Sequence, residues 1–375
     1  MKIIHVADVH LDSKLNRHLD DGRAKERRDE LLLTFQRMVQ YGDKEGVEAI
    51  LIAGDLFDVP KVSATARGAV LSAIQDHPWI TFYYLRGNHD AESFLRECTD
   101  KNGKQPKNLK LFSEDWTSYE QQGSDGTSVV ITGAEMNGEN KGQLPTSLLL
   151  DQSKLNVVML HGQEVETAGK KDAEVIPLRD YKNQGIDYLA LGHVHAPKLE
   201  KLDARGVYAY AGCLEGRGFD ECGPRGFYLL TVSEGRIGAE FVPFAKRQVW
   251  ELPVNAENAM NSADVIAAAR EEAQKAGISR GDLVKVILSG ETDVEAEFDE
   301  GYVAKALEED FYFVKVVNRT KPKVDYDVYA LDASLKGEYV RSVKEAMQAG
   351  TLTEEEAAEM IRLGIRLLAG EEKLA

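Results

Sequence analysis

The chain has 375 residues, 43% of them hydrophobic, and a formal net charge of −17. This length exceeds what one small core needs and indicates two domains. The acidic balance argues against a protein coated in basic surface for nucleic acid, and no apolar run approaches the length of a membrane span, so we expect no membrane association.

The first part of the chain repeats a short apolar strand followed by polar residues. Leu31, Phe35, Met38 and Val39 fall at helical spacing and predict an amphipathic helix over 23–42. Because the early strands are separated by helices, they predict parallel βαβ units, and the shorter later connections favour a two-sheet sandwich. The predicted strands cover 2–7, 46–53, 80–85, 128–132, 156–160, 187–191, 207–211 and 226–232.

The character of the chain changes near residue 250. Residues 263–276 have the pattern of a helix, 282–289 alternate like a strand, and 310–317 predict another strand. These elements predict a small α+β domain of ordinary domain size.

The C-terminal part is charged and helical in pattern. Thr353 and Glu356 have capping-box spacing. An apolar stripe follows, formed by Met360, Ile361, Ile365 and Leu368. Such a stripe serves equally well to bind a partner in a groove or to pack on the chain's own core.

Candidate metal ligands follow five of the predicted strands. In chain order they are Asp8 and His10, Asp55, Asn88 with His89 and Asp90, His161, and His193 with His195. In an open α/β sheet, ligands collect at the carboxyl ends of the strands. Glycines beside these residues let the backbone turn tightly and bring the side chains together.

The chemistry of this set indicates two metal ions. Carboxylate, imidazole and amide ligands without a thiolate suit manganese, iron or zinc and argue against a structural zinc site. The ligands outnumber what one ion needs, whereas two ions about 3.5–4 Å apart that share a bridging carboxylate would use all of them. Such a pair would orient a hydroxide for in-line attack on phosphorus and neutralise the nonbridging oxygens.

The motifs DVH, GDLFD, GNHD, HG and GHVH, in this order, resemble the signature of the calcineurin-like metallophosphoesterases over roughly residues 1–245. Within that superfamily, HVADVHLDS, LIAGDLFD, LRGNHD and the GFDECG of residues 218–223 are most similar to SbcD. SbcD is the nuclease subunit of the SbcC–SbcD complex and a relative of the Mre-type DNA repair nucleases.

The resemblance implies a four-layer α/β/β/α metallophosphoesterase sandwich, with a smaller α+β capping domain and a helical C-terminal tail. We therefore expect a nuclease domain over 1–250, a capping domain over 251–320, and a linker with C-terminal helices over 321–375. The C-terminal helices are the expected binding site of an SbcC-type coiled-coil ATPase.

The resemblance also assigns roles to the candidate residues. It implies that Asp8, His10 and His195 bind one ion, that Asn88, His161 and His193 bind the other, and that Asp55 bridges both. His89 is expected to contact the scissile phosphate and help the leaving oxygen depart. Asp90 is expected to orient that imidazole, as outer carboxylates commonly do. The expected cofactor is a pair of manganese ions, with iron, zinc or magnesium as alternatives.

Some positions depart from the pattern of the family. Asp12 stands where relatives often have glycine, Asp58 where some nuclease relatives have a second histidine near the phosphate, and Cys213 where serine is frequent. We interpret Cys213 as a small buried residue. The basic segment RAKERR at 23–28 has two interpretations, a solvated surface or a local nucleic-acid contact.

The function implied by the resemblance is a metal-dependent phosphodiesterase acting on DNA, as an exonuclease and a single-strand endonuclease. The alternative is a metallophosphoesterase for a small-molecule or cyclic-nucleotide phosphoester, which the acidic charge favours. The family also implies a homodimer through an early helix, for which 23–42 is a candidate, although its stripe would serve the chain's own sheet equally well. Without a signal-peptide pattern or paired-cysteine spacing, a cytoplasmic location is expected.

Overall fold

The computed structural model describes residues 1–15, 19–58, 61–90, 95, 105–165 and 175–368. The chain divides into two compact units, residues 1–248 and 249–375. The finer predicted division of the second unit, into a capping domain and C-terminal helices at residue 320, stays a prediction. Among the described residues, no helix combines the length and the apolar character needed to cross a bilayer.

The first unit alternates strands and helices. Its elements are β1 (Lys2–Val6), α1 (Asp21–Glu45), β2 (Val47–Ala53), α2 (Ala64–Asp76), β3 (Thr81–Leu85), β4 (Leu109–Leu111), β5 (Thr117–Gln122), β6 (Ser128–Gly133), α3 (Leu144–Ser147), β7 (Asn156–His161), β8 (Gln163–Val165), β9 (Val175–Pro177), α4 (Leu178–Tyr181), β10 (Tyr188–Gly192), β11 (Lys198–Lys201), β12 (Val207–Tyr210), β13 (Gly226–Ser233) and β14 (Arg236–Pro243). Every predicted strand of this unit overlaps an observed one, whereas no bounds were predicted for α2, α3, α4, β4, β5, β8, β9, β11 and β14.

Two six-stranded sheets form the unit. One has the order β14-β13-β1-β2-β3-β4 and the other β11-β12-β10-β7-β6-β5. The strands β1 to β4 run parallel, as do β6, β7, β10 and β12, and antiparallel strands complete the edges. The predicted two-sheet sandwich with parallel βαβ units is confirmed.

Alternation along the strands sorts the side chains into layers. Ile3 and Leu51 join Met159 and Leu230 in the core between the two sheets. Ile4, the next residue in β1, joins the core under α1 and α2. On the outer face of the second sheet, residues of β7 and β10 pack against residues of α3 and α4. The predicted α/β/β/α order of layers is therefore confirmed.

Helix α1 shows how local signals set its ends. The Asp20 side chain accepts a hydrogen bond from the Arg23 amide at the N-terminus, and Gly46, with a φ of 69°, ends the helix. The predicted apolar stripe, from Leu31 to Val39, is buried against the first sheet. The stripe therefore serves the chain's own core, and it is not available as a dimer surface.

The basic segment at 23–28 contains a buried arginine. Arg27 is 1% exposed and donates hydrogen bonds to Glu30 at 2.6 Å, to Glu215 at 3.2 Å and to the Gly216 carbonyl at 2.8 Å. Lys246 donates to Glu30 from the end of the unit at 2.6 Å. Arg27 is therefore neither a solvated surface residue nor available for nucleic acid. Its guanidinium instead links α1 to Glu215 and Gly216 by hydrogen bonds.

The second unit has its own sheet and core. Its elements are β15 (Val249–Asn255), α5 (Ser262–Ala276), β16 (Leu283–Ser289), β17 (Glu291–Asp293), α6 (Glu300–Leu307), β18 (Phe313–Asn318), β19 (Lys321–Lys323), α7 (Tyr326–Leu331), α8 (Leu335–Gln348) and α9 (Glu354–Leu368). The strands β15, β16 and β18 form a parallel sheet on which α5 and α6 pack.

The apolar stripe predicted in the tail divides between two faces of α9. Ile361 and Ile365 are buried in a cluster shared with α7 and α8. Met360 is 42% exposed and Leu368 is 44% exposed. The interpretation that the stripe packs on the chain's own core thus holds for Ile361 and Ile365, whereas partner binding through the exposed face stays a prediction.

Candidate dimetal centre

The candidate ligands leave the strands in strained backbone conformations. Asp8 has a φ of 50°, His10 of 52°, Asp55 of 51° and His193 of 95°. Positive φ is uncommon outside glycine and costs on the order of 1–3 kcal/mol per residue. Such strain persists only where the surrounding structure enforces it, and here four candidate ligands share it.

Glycines make room for the ligand side chains. A Cβ atom on Gly54 would lie 2.2 Å from His161 Nδ1, and one on Gly87 would lie 2.1 Å from Asp55 Oδ1. A Cβ atom on Gly192 would lie 2.0 Å from the Ala53 carbonyl oxygen. The glycines of the AGD, RGN and LGH segments are therefore required by close packing around the site.

Asp8, His10 and His195 form the first ligand group, with ligand atoms within 4.8 Å of one another. The Nε2 atoms of His10 and His195 lie 3.2 Å apart. His195 Nδ1 lies 2.7 Å from Glu221 Oε1 and 3.3 Å from Arg217 Nη2. The shorter contact is to a carboxylate, which only accepts, so it assigns the proton to Nδ1, and Nε2 of the neutral ring presents a lone pair. His10 Nδ1 likewise faces a carboxylate, Asp58 Oδ1, at 3.4 Å.

Asp8, Asp55 and His161 form the second group, again within 4.8 Å. His161 Nδ1 donates to the Ala53 carbonyl at 2.9 Å, so a lone pair is left on Nε2 once the ring is neutral. That nitrogen lies 3.4 Å from Asp55 Oδ2 and 3.0 Å from Asn88 Oδ1. Three acceptor atoms therefore face one another.

Asn88 and His193 complete the second group. Asn88 Oδ1 lies 3.3 Å from His193 Nδ1, and the His193 amide donates to Asp8 Oδ1 at 3.0 Å. Asp55 lies between the two groups, because its Oδ2 atom is 3.4 Å from His161 Nε2 and 3.9 Å from His10 Nε2. The structure thus brings together all seven predicted ligands, and it places Asp8 as well as Asp55 beside both groups.

This donor set fits divalent cations. Asp8 is 0% exposed and Asp55 is 1% exposed. Because a buried carboxylate requires a compensating charge, these two residues call for a cation beside them. The imidazole nitrogens that face these carboxylates present lone pairs in the tautomers set by Glu221 and Ala53. Lone pairs in close contact repel unless a cation lies between them, and mixed oxygen and nitrogen ligands suit borderline divalent metals.

The pKa values of two candidate ligands, His161 and His10, are shifted in opposite directions. Burial opposes charge on His161, but the Asp55 carboxylate outweighs it and raises the pKa of His161 to about 9. Burial lowers the pKa of His10 despite its contact with Asp58. A divalent cation must therefore displace a proton from His161, and its binding weakens as the pH falls.

Asp90 does not occupy the predicted position beside the His89 imidazole. Its Oδ1 atom accepts from the Phe57 amide at 2.8 Å, and its Oδ2 atom accepts from the Gly87 amide at 2.9 Å. Burial and the Asp55 charge raise the pKa of Asp90 to about 6. Asp90 joins the backbones of two loops, and the prediction that it orients the ring is corrected, because both of its oxygens accept from main-chain amides.

The carboxylate that contacts the His89 ring is that of Asp58, and the His10 ring packs edge-on against the same imidazole with the ring centroids 5.3 Å apart. The Asp58 Oδ1 atom lies 3.1 Å from His89 Nδ1, and its Oδ2 atom accepts from the Ser13 hydroxyl at 2.7 Å. The His89 side chain is 52% exposed. The Asp55 carboxylate also accepts from the His89 amide at 2.9 Å, so both the backbone and the ring of His89 are held.

Sequence reasoning missed two further residues, Glu221 and Arg217. Arg217 donates to Glu221 Oε1 from Nη2 at 2.8 Å and from its backbone amide to Oε2 at 2.6 Å. Its Nη1 atom lies 3.6 Å from Asp58 Oδ2. The GFDECG segment contains Glu221 and was noticed as a resemblance, but nothing local in that segment indicates that its carboxylate reaches His195.

The other departures have structural roles. Asp12 accepts from the amide of Ser63 at 2.6 Å and from its hydroxyl at 3.0 Å, just before α2 begins. Cys213 is 0% exposed, and burial raises the pKa of its thiol well above its usual range, in agreement with a small buried residue.

Comparison with known proteins shows which family this chain matches. The calcineurin-like phosphoesterase model matches residues 1–197. A Bacillus subtilis protein named uncharacterized metallophosphoesterase YhaO is 27% identical over 258 residues, which are 67% of this chain and 62% of that protein. Two archaeal relatives are named DNA double-strand break repair protein Mre11. The Aeropyrum pernix protein is 29% identical over 62% of this chain and 58% of its own length, and the Methanopyrus kandleri protein is 23% identical over 99% and 82%.

The matched part of this chain thus covers 62% and 58% of the length of the first two relatives. Among solved structures, a dimetal phosphatase from Danio rerio matches 64% of this chain and 95% of its own, with 12% identity and a TM-score of 0.43. A 5'-nucleotidase from Candida albicans matches 65% of this chain and 52% of its own, with 13% identity and a TM-score of 0.36.

Proposed function

The chain belongs to the calcineurin-like phosphoesterase family and is a metal-dependent phosphoester hydrolase, and we propose that its substrate is DNA. The observation that carries this proposal is the similarity to proteins named for DNA double-strand break repair. One of those matches extends over 99% of the chain and so includes the second unit, which lies outside the family model.

The described residues would hold two ions in the two ligand groups. The ions would be bound by Asp8, His10, Asp55, Asn88, His161, His193 and His195. When bound, they supply an activated water nucleophile and neutralise charge on the phosphate oxygens. We propose manganese as the metal, following the resemblance to SbcD; iron and zinc also suit a set of imidazole, amide and carboxylate ligands.

His89 is the residue proposed to act on the leaving group. In hydrolysis, a bond forms between the water oxygen and phosphorus, the bond from phosphorus to the leaving oxygen breaks, and that oxygen takes up a proton. Asp58 contacts His89 Nδ1 at 3.1 Å and fixes the ring, so that Nε2 is left for the substrate. The half-exposed ring is reachable from solvent, as contact with a large substrate requires.

The experiment is digestion of end-labelled duplex and single-stranded DNA with manganese. We expect the wild-type protein to shorten duplexes from their ends and to cut single strands, and His89→Ala to lose this activity by about 100-fold or more. His77→Ala is the matched control. His77 follows α2, where its ring nitrogen bonds to the Ala73 carbonyl at 2.9 Å, and this change should leave digestion intact.

The alternative substrate class gives a different result. If the wild-type protein hydrolyses bis(p-nitrophenyl) phosphate but leaves both kinds of DNA intact, the DNA proposal fails. The small-molecule or cyclic-nucleotide alternative is then favoured, in line with the net charge of −17.

We also propose that the protein works as a cytoplasmic homodimer with a coiled-coil ATPase partner of the SbcC type. On α9, Met360, Leu363 and Leu367 are 42%, 46% and 49% exposed, beside the face that packs on the chain's own core. Light scattering of the purified chain tests the homodimer.

The partner site is tested by co-elution with a purified SbcC-type ATPase. The double variant Leu363→Glu with Leu367→Glu should lose this co-elution.

A further inference from the structure

The two ligand groups differ in what fixes their imidazoles. In the second group, the Nδ1 proton of His161 is held by a backbone carbonyl, that of Ala53. In the first group, His195 Nδ1 is held by the side chain of Glu221 at 2.7 Å, and His10 Nδ1 faces the side chain of Asp58 at 3.4 Å. The first group therefore depends on side chains from other segments of the chain, whereas His161 depends on the main chain of β2.

Arg217 connects the two carboxylates of the first group. It contacts Glu221 through Nε at 3.2 Å and through Nη2 at 2.8 Å, and its Nη1 atom lies 3.6 Å from Asp58 Oδ2. Its side chain is 18% exposed and that of Glu221 is 5% exposed. Since a buried carboxylate needs a partner of opposite charge, the guanidinium keeps Glu221 ionised and in place beside His195.

The backbone adds to this arrangement. Both Glu221 oxygens are used, since Oε2 accepts from the Arg217 amide at 2.6 Å while Oε1 faces His195 and the guanidinium. The five residues from Arg217 to Glu221 thus close a short loop around one carboxylate.

We propose that Glu221, braced by Arg217, is a positioning residue that selectively sets the affinity of the first ion site, formed by Asp8, His10 and His195. It acts through His195 by fixing the ring and its tautomer. The second ion site keeps its own backbone anchor and does not depend on Glu221. This proposal rests on the dimetal part of the proposed function and not on the identity of the substrate.

The test is a manganese titration of the purified protein, followed by calorimetry and by the electron paramagnetic resonance signal of free manganese. The wild-type protein should bind two ions. Glu221→Ala should weaken one binding step by about 10- to 100-fold and leave the other unchanged. Glu221→Gln, which keeps an acceptor for His195 Nδ1, should recover most of the lost affinity.

Two further variants locate the effect. In a His195→Ala background, Glu221→Ala should change neither binding step, because its route to the metal has been removed. Arg217→Met leaves Glu221 present but unbraced, and it should weaken the same step as Glu221→Ala. This second variant also carries the test if Glu221→Ala does not fold.

The control is Glu200→Ala, which removes a half-exposed glutamate in β11 that accepts from the Tyr208 hydroxyl. It should bind both ions as the wild-type protein does. Equal weakening of both steps by Glu221→Ala, or no weakening of either, would overturn the proposal. The readout is metal binding, so failure to digest DNA would contradict the proposed substrate and leave this result standing.

Discussion

The strand ends of the first unit and the elements of the second unit follow different rules of backbone conformation. Among the described residues, non-glycine positive φ angles occur in the first unit alone, at Asp8, His10, Asp12, Leu15, Asp55, Asn183, His193 and Glu234. In the described part of the second unit, positive φ is confined to Gly277, Gly290 and Gly350. Strain is therefore concentrated where the ligands converge, as is usual for a functional site.

The second unit instead obeys local rules closely. Helix α5 begins with a capping box formed by Asn261 and Asp264, and it ends at Gly277 with a φ of 70°. The Thr353 hydroxyl and Glu356 make reciprocal bonds at the start of α9. The comparison teaches that the first unit gives up local preference to hold its site, while the second unit optimises its own packing.

The largest effect is expected from a ligand that lies between the two groups. Asp55→Asn should lower the rate of phosphoester hydrolysis by more than about 100-fold. Residues that act on a metal only through one of its ligands typically cost about 10- to 100-fold, and Asp55 is itself a ligand. The control in the second unit is Asp282→Asn, which changes a carboxylate that is 7% exposed and accepts from Trp250 Nε1 at 3.0 Å. Activity of Asp282→Asn close to that of Asp55→Asn would erase the contrast between the units.

The next effect concerns the Asp58 contact with His89. Asp58→Ala should slow hydrolysis of a nucleoside phenyl phosphate by about 10- to 100-fold, and a p-nitrophenyl phosphate less, since the better leaving group needs less help. His89→Ala should show the same dependence on the leaving group. In the double variant, the only loss beyond that of His89→Ala should be what Asp58 contributes through His10 Nδ1, which it faces at 3.4 Å. Equal losses on both esters would mean that Asp58 does not act through His89.

A smaller effect is expected on stability from the glycines at the site. Gly192→Ala places a Cβ atom 2.0 Å from the Ala53 carbonyl oxygen, and this overpacking should lower the free energy of unfolding by about 1–3 kcal/mol. Gly68→Ala, inside α2 with nothing within 4 Å of the added atom, should raise it by about 0.5–1 kcal/mol. Denaturant unfolding measures both changes, and a destabilised Gly68→Ala protein would contradict the contrast.

The smallest effect is a contribution of Glu30 to stability that is lost in acid. Burial opposes charge on Glu30, but hydrogen bonds from Arg247, Lys246 and Arg27 lower its pKa from 4.5 to about 2. The unfolded chain therefore binds this proton first as the pH falls, so the stabilisation is complete above about 4.5 and is lost toward pH 2. In pH-dependent unfolding, the stability difference between the wild-type protein and Glu30→Gln should shrink over this range, and a constant difference would contradict the role of the charge.

The sequence predicted the parts of the molecule that depend on local pattern. The apolar strands, the polar residues at their ends and the amphipathic stripe of α1 each have a periodic or adjacent signal, and the structure contains them. The strand β14 and the helix α2 were missed although both carry a periodic signal: burial alternates along RIGAEFVP in β14, and the buried residues of α2 lie at helical spacing, namely Ala66, Val70, Ala73 and Ile74.

Contacts between distant segments could not be predicted in the same way. Asp58 and Arg217 are 159 positions apart, from 217 minus 58, and only the fold brings them within 3.6 Å. Asp90 stands next to His89 in the chain, yet its carboxylate points to the amides of Phe57 and Gly87. Adjacency in sequence suggested the wrong carboxylate for the His89 ring, because side-chain direction depends on the loop conformation.

The most direct measurement is anomalous diffraction from crystals soaked in manganese. We predict two anomalous peaks per chain, one among Asp8, His10 and His195 and one among Asn88, His161 and His193, with Asp55 touching both. Peaks elsewhere, or a single peak at saturating manganese, would contradict a dimetal centre at the strand ends of the first unit.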